Sequence, residues 1–130
     1  MTVTEEIQKV KDVVNYYMEG AIKRDYEFLM NGWHPKCQIF GLNAEKQLKV
    51  YDQSFWKETF AKSIDNSEYK RTSELLDFDI HGTAASAKVK TVIESSKGTT
   101  IFMDYLNLLR IDGKWWIVNK IFDTKFTPKE

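Results

Sequence analysis

Ile101-Phe102-Met103-Asp104-Tyr105-Leu106-Asn107-Leu108-Leu109-Arg110-Ile111 runs through Asp112-Gly113 into Lys114-Trp115-Trp116-Ile117-Val118-Asn119-Lys120-Ile121-Phe122. Both flanks are long, apolar and rich in aromatic and branched residues, which favours strands. Asp-Gly adopts positive φ readily, so the two flanks are expected to form a tight antiparallel hairpin. Side chains alternate faces along a strand, placing Asp104 with Phe102, Leu106 and Leu108. A carboxylate among such neighbours must be hydrogen-bonded, protonated or lining a polar cavity. The hairpin therefore predicts a pocket.

Working backward, residues from Tyr69 onward keep a period of two. Leu76, Phe78 and Ile80 alternate with Asp77 and Asp79, and Ala87, Val89, Thr91 and Ile93 alternate with Ser86, Lys88, Lys90 and Val92. His81-Gly82-Thr83 and Ser95-Ser96-Lys97-Gly98 supply turns between them. The amino-terminal half has a different period. Ile7, Val10, Val14, Tyr17, Met18 and Ala21 recur at three- and four-residue steps and mark an amphipathic helix, with Thr2 and Glu5 at capping-box spacing. Gly20 weakens its last turn, and Asp25 is placed to cap a short second helix over Phe28, Leu29 and Met30. Trp33-His34-Pro35 interrupts helix, and Cys37–Gly41 reads as a short strand. Residues 42–51 are ambiguous, and Asp52 is positioned to cap a third helix carrying Phe55, Trp56 and Phe60. Helices followed by an antiparallel meander predict an α+β domain over 1–130, with helices packed on a curved sheet.

With 130 residues, 42% of them hydrophobic and 14% aromatic, the chain can bury a real core. Nineteen basic and nineteen acidic residues cancel without a run of one sign. That gives no electrostatic case for nucleic acid or an anionic membrane. No apolar stretch approaches the ~20 residues of a membrane span. Met1-Thr2-Val3-Thr4-Glu5-Glu6 lacks a secretion-signal layout, so a cytoplasmic location is expected. Cys37 is the single cysteine and is read as a buried structural thiol.

Several stretches together resemble the nuclear transport factor 2-like superfamily, in its putative lumazine-binding or SnoaL-like branch. They are Val14-Asn15-Tyr16-Tyr17-Met18-Glu19-Gly20 with Asp25, Trp33-His34-Pro35, and Ile80-His81-Gly82 with Ala84–Val89. The closing run Asp104-Tyr105-Leu106 through Leu108–Trp115 and Ile117–Lys120 is the most specific. The resemblance implies a cone-shaped curved antiparallel sheet wrapped around amino-terminal helices, commonly a homodimer joined through the open sheet face. It also implies small-molecule binding or cofactor-free isomerase, dehydratase or cyclase chemistry. Fold alone does not choose among these.

Asp104 is the leading acid–base candidate, since an apolar wall disfavours its charged form. The competing reading is an aspartate that accepts hydrogen bonds from a strand or tyrosine and only stiffens the barrel. Asn119, if Trp115, Ile117 and Ile121 face inward with it, would share the cavity with Asp104. His34 is placed at the mouth of the cone as a partner for Asp104, or as a satisfied structural histidine. Tyr17 lies on the helix stripe with its hydroxyl available to the cavity. Trp33, Trp56 and Phe60 form a candidate aromatic collar or are plain core. His34 and His81 have no metal-ligand spacing, so no metal is expected, and the resemblance implies no organic cofactor. Tyr105, Asn107, Trp116 and Val118 are assigned to the opposite sheet face as a dimer interface, and Lys114, Lys120 and Lys125 to solvent. The expected partner is a small hydrophobic, aromatic or carbonyl-bearing ligand. Three functions remain open: a ligand-binding protein, an enzyme with Asp104 as base, or a dimeric module without ligand.

Overall fold

The computed structural model describes residues 2–64 and 68–130; Met1 of the amino-terminal stretch lies outside them. Helix α1 spans Val3–Lys23, and its first turn is capped by Thr2, whose Oγ1 accepts from the Glu5 N–H at 3.1 Å. Its buried stripe is Val10, Val13, Val14, Tyr17, Gly20 and Ala21. Each fully buried valine contributes roughly 1.5–3 kcal/mol. Gly20 lies inside this helix, and its missing side chain has a packing reason. A Cβ there would sit 2.6 Å from Leu29 Cβ, so the glycine lets α2 (Tyr26–Leu29) lie against α1. Asp25 caps α2 by accepting from Phe28 N–H at 3.1 Å.

The remaining elements are β1 (Trp33–Leu42), β2 (Leu48–Tyr51), α3 (Ser54–Ala61), β3 (Lys70–His81), β4 (Ala84–Ser95), β5 (Gly98–Ile111) and β6 (Lys114–Pro128). They form one curved, unclosed six-stranded sheet ordered β2-β1-β6-β5-β4-β3. The β3–β6 segment is the expected antiparallel meander, and the Asp112-Gly113 turn has positive φ at both residues. Two features depart from expectation. First, β1 begins at Trp33, through the His34-Pro35 interruption, and pairs parallel with β6. Second, the ambiguous stretch contains β2, antiparallel to β1.

Two bulges change which residues face the core. In β3 the register slips between Leu75 and Asp77, so Leu75 turns inward while Leu76 is exposed. In β6 Leu108 pairs with Ile117 but Asn107 pairs with Asn119, leaving Val118 as the extra residue. One extra residue reverses the alternation beyond it. Trp115 and Ile117 face inward as expected, after which Lys120 and Phe122 face inward and Asn119 and Ile121 do not.

Candidate functional site

The concave face is lined by Trp33, Cys37 and Ile39 of β1, Ala87, Val89 and Thr91 of β4, Leu106 and Leu108 of β5, and Trp115 and Ile117 of β6. Among these sit two buried charges, Asp104 at 0% exposure and Lys120 at 5%. They are neighbours: Lys120 Nζ lies 3.6 Å from Asp104 Oδ1. Tyr17 bridges them from α1. Its hydroxyl donates to Asp104 Oδ2 at 2.5 Å and accepts from Lys120 Nζ at 3.0 Å. The bond directions form one chain, lysine to phenol to carboxylate. An unpaired buried ion would be prohibitive, and this arrangement offsets the desolvation of both charges.

Electrostatics follow from that burial. Loss of water pushes the Lys120 ammonium down to about 8 from 10.5; Asp104 opposes the shift and the Arg71 guanidinium adds to it. Burial, reinforced by the Asp104 charge, holds the Tyr17 phenol well above its ordinary 10.0, so it keeps its proton. Burial pushes the Cys37 thiol up to about 12, which makes it an inert core residue.

A cavity of about 200 Å³ opens between α3 and the sheet. Phe55, Trp56 and Phe60 from α3 and Phe102 and Phe122 from the sheet supply its rings; Lys120 and Arg71 supply charge. Lys120 Nζ stands 5.0 Å from the Tyr17 ring, 5.1 Å from Trp56 and 5.2 Å from Phe122, a three-sided aromatic cage around the cation. Arg24, at the left-handed end of α1, closes one side. Its Nη2 donates to Thr59 O at 2.6 Å and to Lys62 O, tying the end of α3 down. Three buried donors, Trp33 Nε1, Trp56 Nε1 and Arg71 Nε, have no hydrogen-bond partner among the described residues. The last two belong to cavity-lining side chains, whereas Trp33 lies behind them.

The anticipated site residues divide cleanly. Tyr17, Trp33, Trp56 and Phe60 form one aromatic group: Tyr17–Trp33, Tyr17–Trp56, Trp33–Trp56 and Trp56–Phe60 centroids lie 5.4–5.6 Å apart. Trp56 and Phe60 line the cavity, whereas Trp33 is wholly buried behind them. Asp104 faces inward, but it sits behind Lys120 and does not line the cavity. Asn119 is corrected: the Val118 bulge turns it to the outer face, where its Oδ1 accepts from Asn107 Nδ2 at 2.9 Å. His34 is likewise on the outer face, because inward Trp33 precedes it. Its Nδ1 accepts from Lys36 N–H at 3.0 Å and its ring meets Trp116 edge-on at 5.3 Å. A His34–Asp104 pair therefore does not form.

Lys120 is a candidate-site residue that strand periodicity missed. Its assignment to solvent followed from unbroken alternation, and the bulge reverses it. Tyr105, Asn107 and Trp116 share the outer face with His34, Asn119, Leu109 and Ile121, and Val118 is the bulged residue beside them. Among the described residues no group of three or more His, Cys, Asp or Glu could hold a metal ion, and no helix is long and apolar enough to cross a membrane.

Comparison with known proteins agrees with this architecture. A structure of a nuclear transport factor 2-like protein of unknown function from Shewanella baltica OS155 superposes with a TM-score of 0.80 at 28% identity, covering 96% of this chain and 98% of the other. Hexachlorocyclohexane dehydrochlorinase LinA-type3 from Novosphingobium barchaimii LL02 shares the fold (TM-score 0.76, 97% and 91% coverage) at only 10% identity. Aldolase FrzH of Cladobotryum sp is 29% identical over 106 residues, 82% of this chain and 81% of that protein. Residues 5–123 match the family described as putative lumazine-binding. That match takes in α1 from Glu5 onward, the whole cavity wall and the Tyr17–Lys120–Asp104 array, and the chain belongs to that nuclear transport factor 2-like family.

Proposed function

We propose that this protein binds a small, flat, carbonyl-bearing molecule in the cavity between α3 and the sheet. The observation that carries the reading is an aromatic-walled cavity ending on a buried lysine. Drug-sized ligands occupy ~300–1,000 Å³, so a cavity of about 200 Å³ selects a single-ring compound. Trp56 and Phe60 form a wall for the ring to pack against, and the unpartnered donors of Trp56 and Arg71, with the Lys120 ammonium, favour an oxygen acceptor at its polar end. Tyr17 and Asp104 then act from behind, holding Lys120 in place; Trp33 backs the collar.

A second reading, a cofactor-free enzyme acting on that carbonyl compound, is favoured by the Lys120–Tyr17–Asp104 array and by the likeness to a protein named an aldolase. In it the reacting side chain is Lys120, with Asp104 reaching substrate only through it. A second copy of the chain is proposed to cover the outer sheet face around Tyr105, Asn107, Trp116 and Val118, in a cytoplasmic homodimer.

Titration with benzamide and related single-ring carbonyl compounds, followed by tryptophan emission, tests the ligand reading. Saturable quenching is expected, and Trp56→Phe should remove most of it. Flat emission across the series, with no ligand retained in native mass spectra of freshly purified protein, would sink the proposal.

A further inference from the structure

We propose that Lys120 Nζ is a nucleophile that condenses with a small aldehyde or ketone in this cavity to give a protonated imine. The inference rests on the reading that a carbonyl compound enters the cavity, and adds a covalent step at a named atom. Lys120 is the lysine that lines the cavity wall, held by a hydrogen bond to the Tyr17 hydroxyl and an ion pair with the Asp104 carboxylate. Cys37, the one thiol, neither lines the cavity nor ionises near neutral pH.

The step balances. The ammonium first gives up one proton; the free amine then forms the C–N bond as the carbonyl π bond breaks and its oxygen takes a proton. The nitrogen then passes a second proton to the hydroxyl, which leaves as water while the C=N bond forms, so that R–NH3⁺ and O=CR2 become R–NH⁺=CR2 and H2O. The site begins and ends with one cation beside Asp104, so imine formation leaves the buried pair with the same net charge. The aromatic cage of Tyr17, Trp56 and Phe122 that favours the ammonium favours the iminium for the same reason. The unpartnered Arg71 Nε is a donor for the carbonyl oxygen as negative charge develops on it.

Burial also supplies free amine. The groups acting on Lys120 are Tyr17 from α1, Cys37 from β1, Arg71 from β3 and Asp104 from β5. Desolvation outweighs the Asp104 attraction and sets the amine at about 8. A lysine at that value holds on the order of a hundredfold more free amine at pH 7 than an exposed one. Its lower basicity offsets part of that gain, so labelling roughly tenfold faster than at surface lysines is expected.

The test incubates the full chain with benzaldehyde and cyanoborohydride from pH 6 to 10, then reads intact mass and maps peptides. Benzamide, which fits the same space but forms no imine, is followed in parallel by tryptophan emission. The expected result is one benzyl group per chain on Lys120, suppressed by benzamide, with a rate that rises to about pH 8 and then levels. Lys120→Arg, and Lys120→Met with Asp104→Asn as a variant lacking the buried charge pair, should lose that label. Benzamide binding without Lys120 labelling overturns the imine and leaves the pocket reading standing. Equal labelling of wild type and Lys120→Arg also overturns it. Absence of both binding and labelling removes both readings.

Discussion

Lys120 and Asp104 are each buried on account of the other, which makes their separate removal unequal to their joint removal. Lys120→Met leaves the carboxylate at 0% exposure with Tyr17 as its remaining partner. Breaking a buried pair on one side costs about 3–5 kcal/mol. Adding Asp104→Asn removes the stranded charge while keeping an acceptor for Tyr17, and should recover most of the loss in urea unfolding. Equal instability of single and double variants would show that the pair is not coupled. The same burial sets a pH signature. Lys120 has a lowered folded value, so the unfolded chain binds more protons between about 8 and 10.5, and stability rises with pH there. Cys37 is raised from 9.0 to about 12, so its contribution is complete below 9 and is lost as pH climbs toward 12. Tyr17, raised above 10.0, acts in the same direction at higher pH. Urea midpoints should therefore increase from pH 8 to about 9 and then fall, and Cys37→Ala should make the descent shallower relative to its own maximum. A midpoint that only declines above pH 8 contradicts the assignment of a neutralising buried lysine.

At the scale of elements, helix packing is governed by one close approach. Alanine is favoured over glycine in a helix interior by about 1 kcal/mol. Yet a Cβ at Gly20 meets Leu29 backbone and side chain at 2.6–3.0 Å, with no flexible atom to yield. Displacing α2 from α1 costs about 1–3 kcal/mol. Gly20→Ala should thus lower the melting temperature despite its better propensity; a raised value would mean that α2 adapts freely. The helix stripe, its Thr2 cap, the Asp25 cap and the Asp112-Gly113 hairpin were all readable because each depends on spacing or on one local hydrogen bond. The face occupied by Asp104 was readable for the same reason, since β5 alternates without interruption through it. The Lys120 half of the site was not. β6 is apolar on both faces, Trp115 and Ile117 on one and Trp116 and Val118 on the other, so composition gives no warning that the phase changes at Val118. His34 was misplaced for a related reason: proline at 35 reads as a loop, yet β1 extends through it.

The whole molecule presents one broad unpaired surface, the outer face of a sheet whose inner face carries the core. Tyr105 and Ile121 are 45% and 48% exposed there, beside exposed Leu109 and half-buried Trp116. Contiguous apolar surface of this kind on a small domain marks a contact site. A stable dimer buries about 800 Å² per partner, and the four longest strands provide a continuous face on which that area can form. Two-fold symmetry would set each patch against itself, so any substitution is felt twice. Tyr105→Glu with Trp116→Glu places two carboxylates in each copy, four across the interface, without touching the inward residues that flank the cavity. Sedimentation should then report a monomer from a dimeric parent, while benzamide binding persists because the pocket lies on the other side of the sheet. A parent that sediments as a monomer, or a variant with unaltered mass, assigns that face to something other than a second copy. Loss of ligand binding together with dimerisation would instead mean that the partner copy completes the pocket, a coupling that the position of Lys120 deep within one chain argues against.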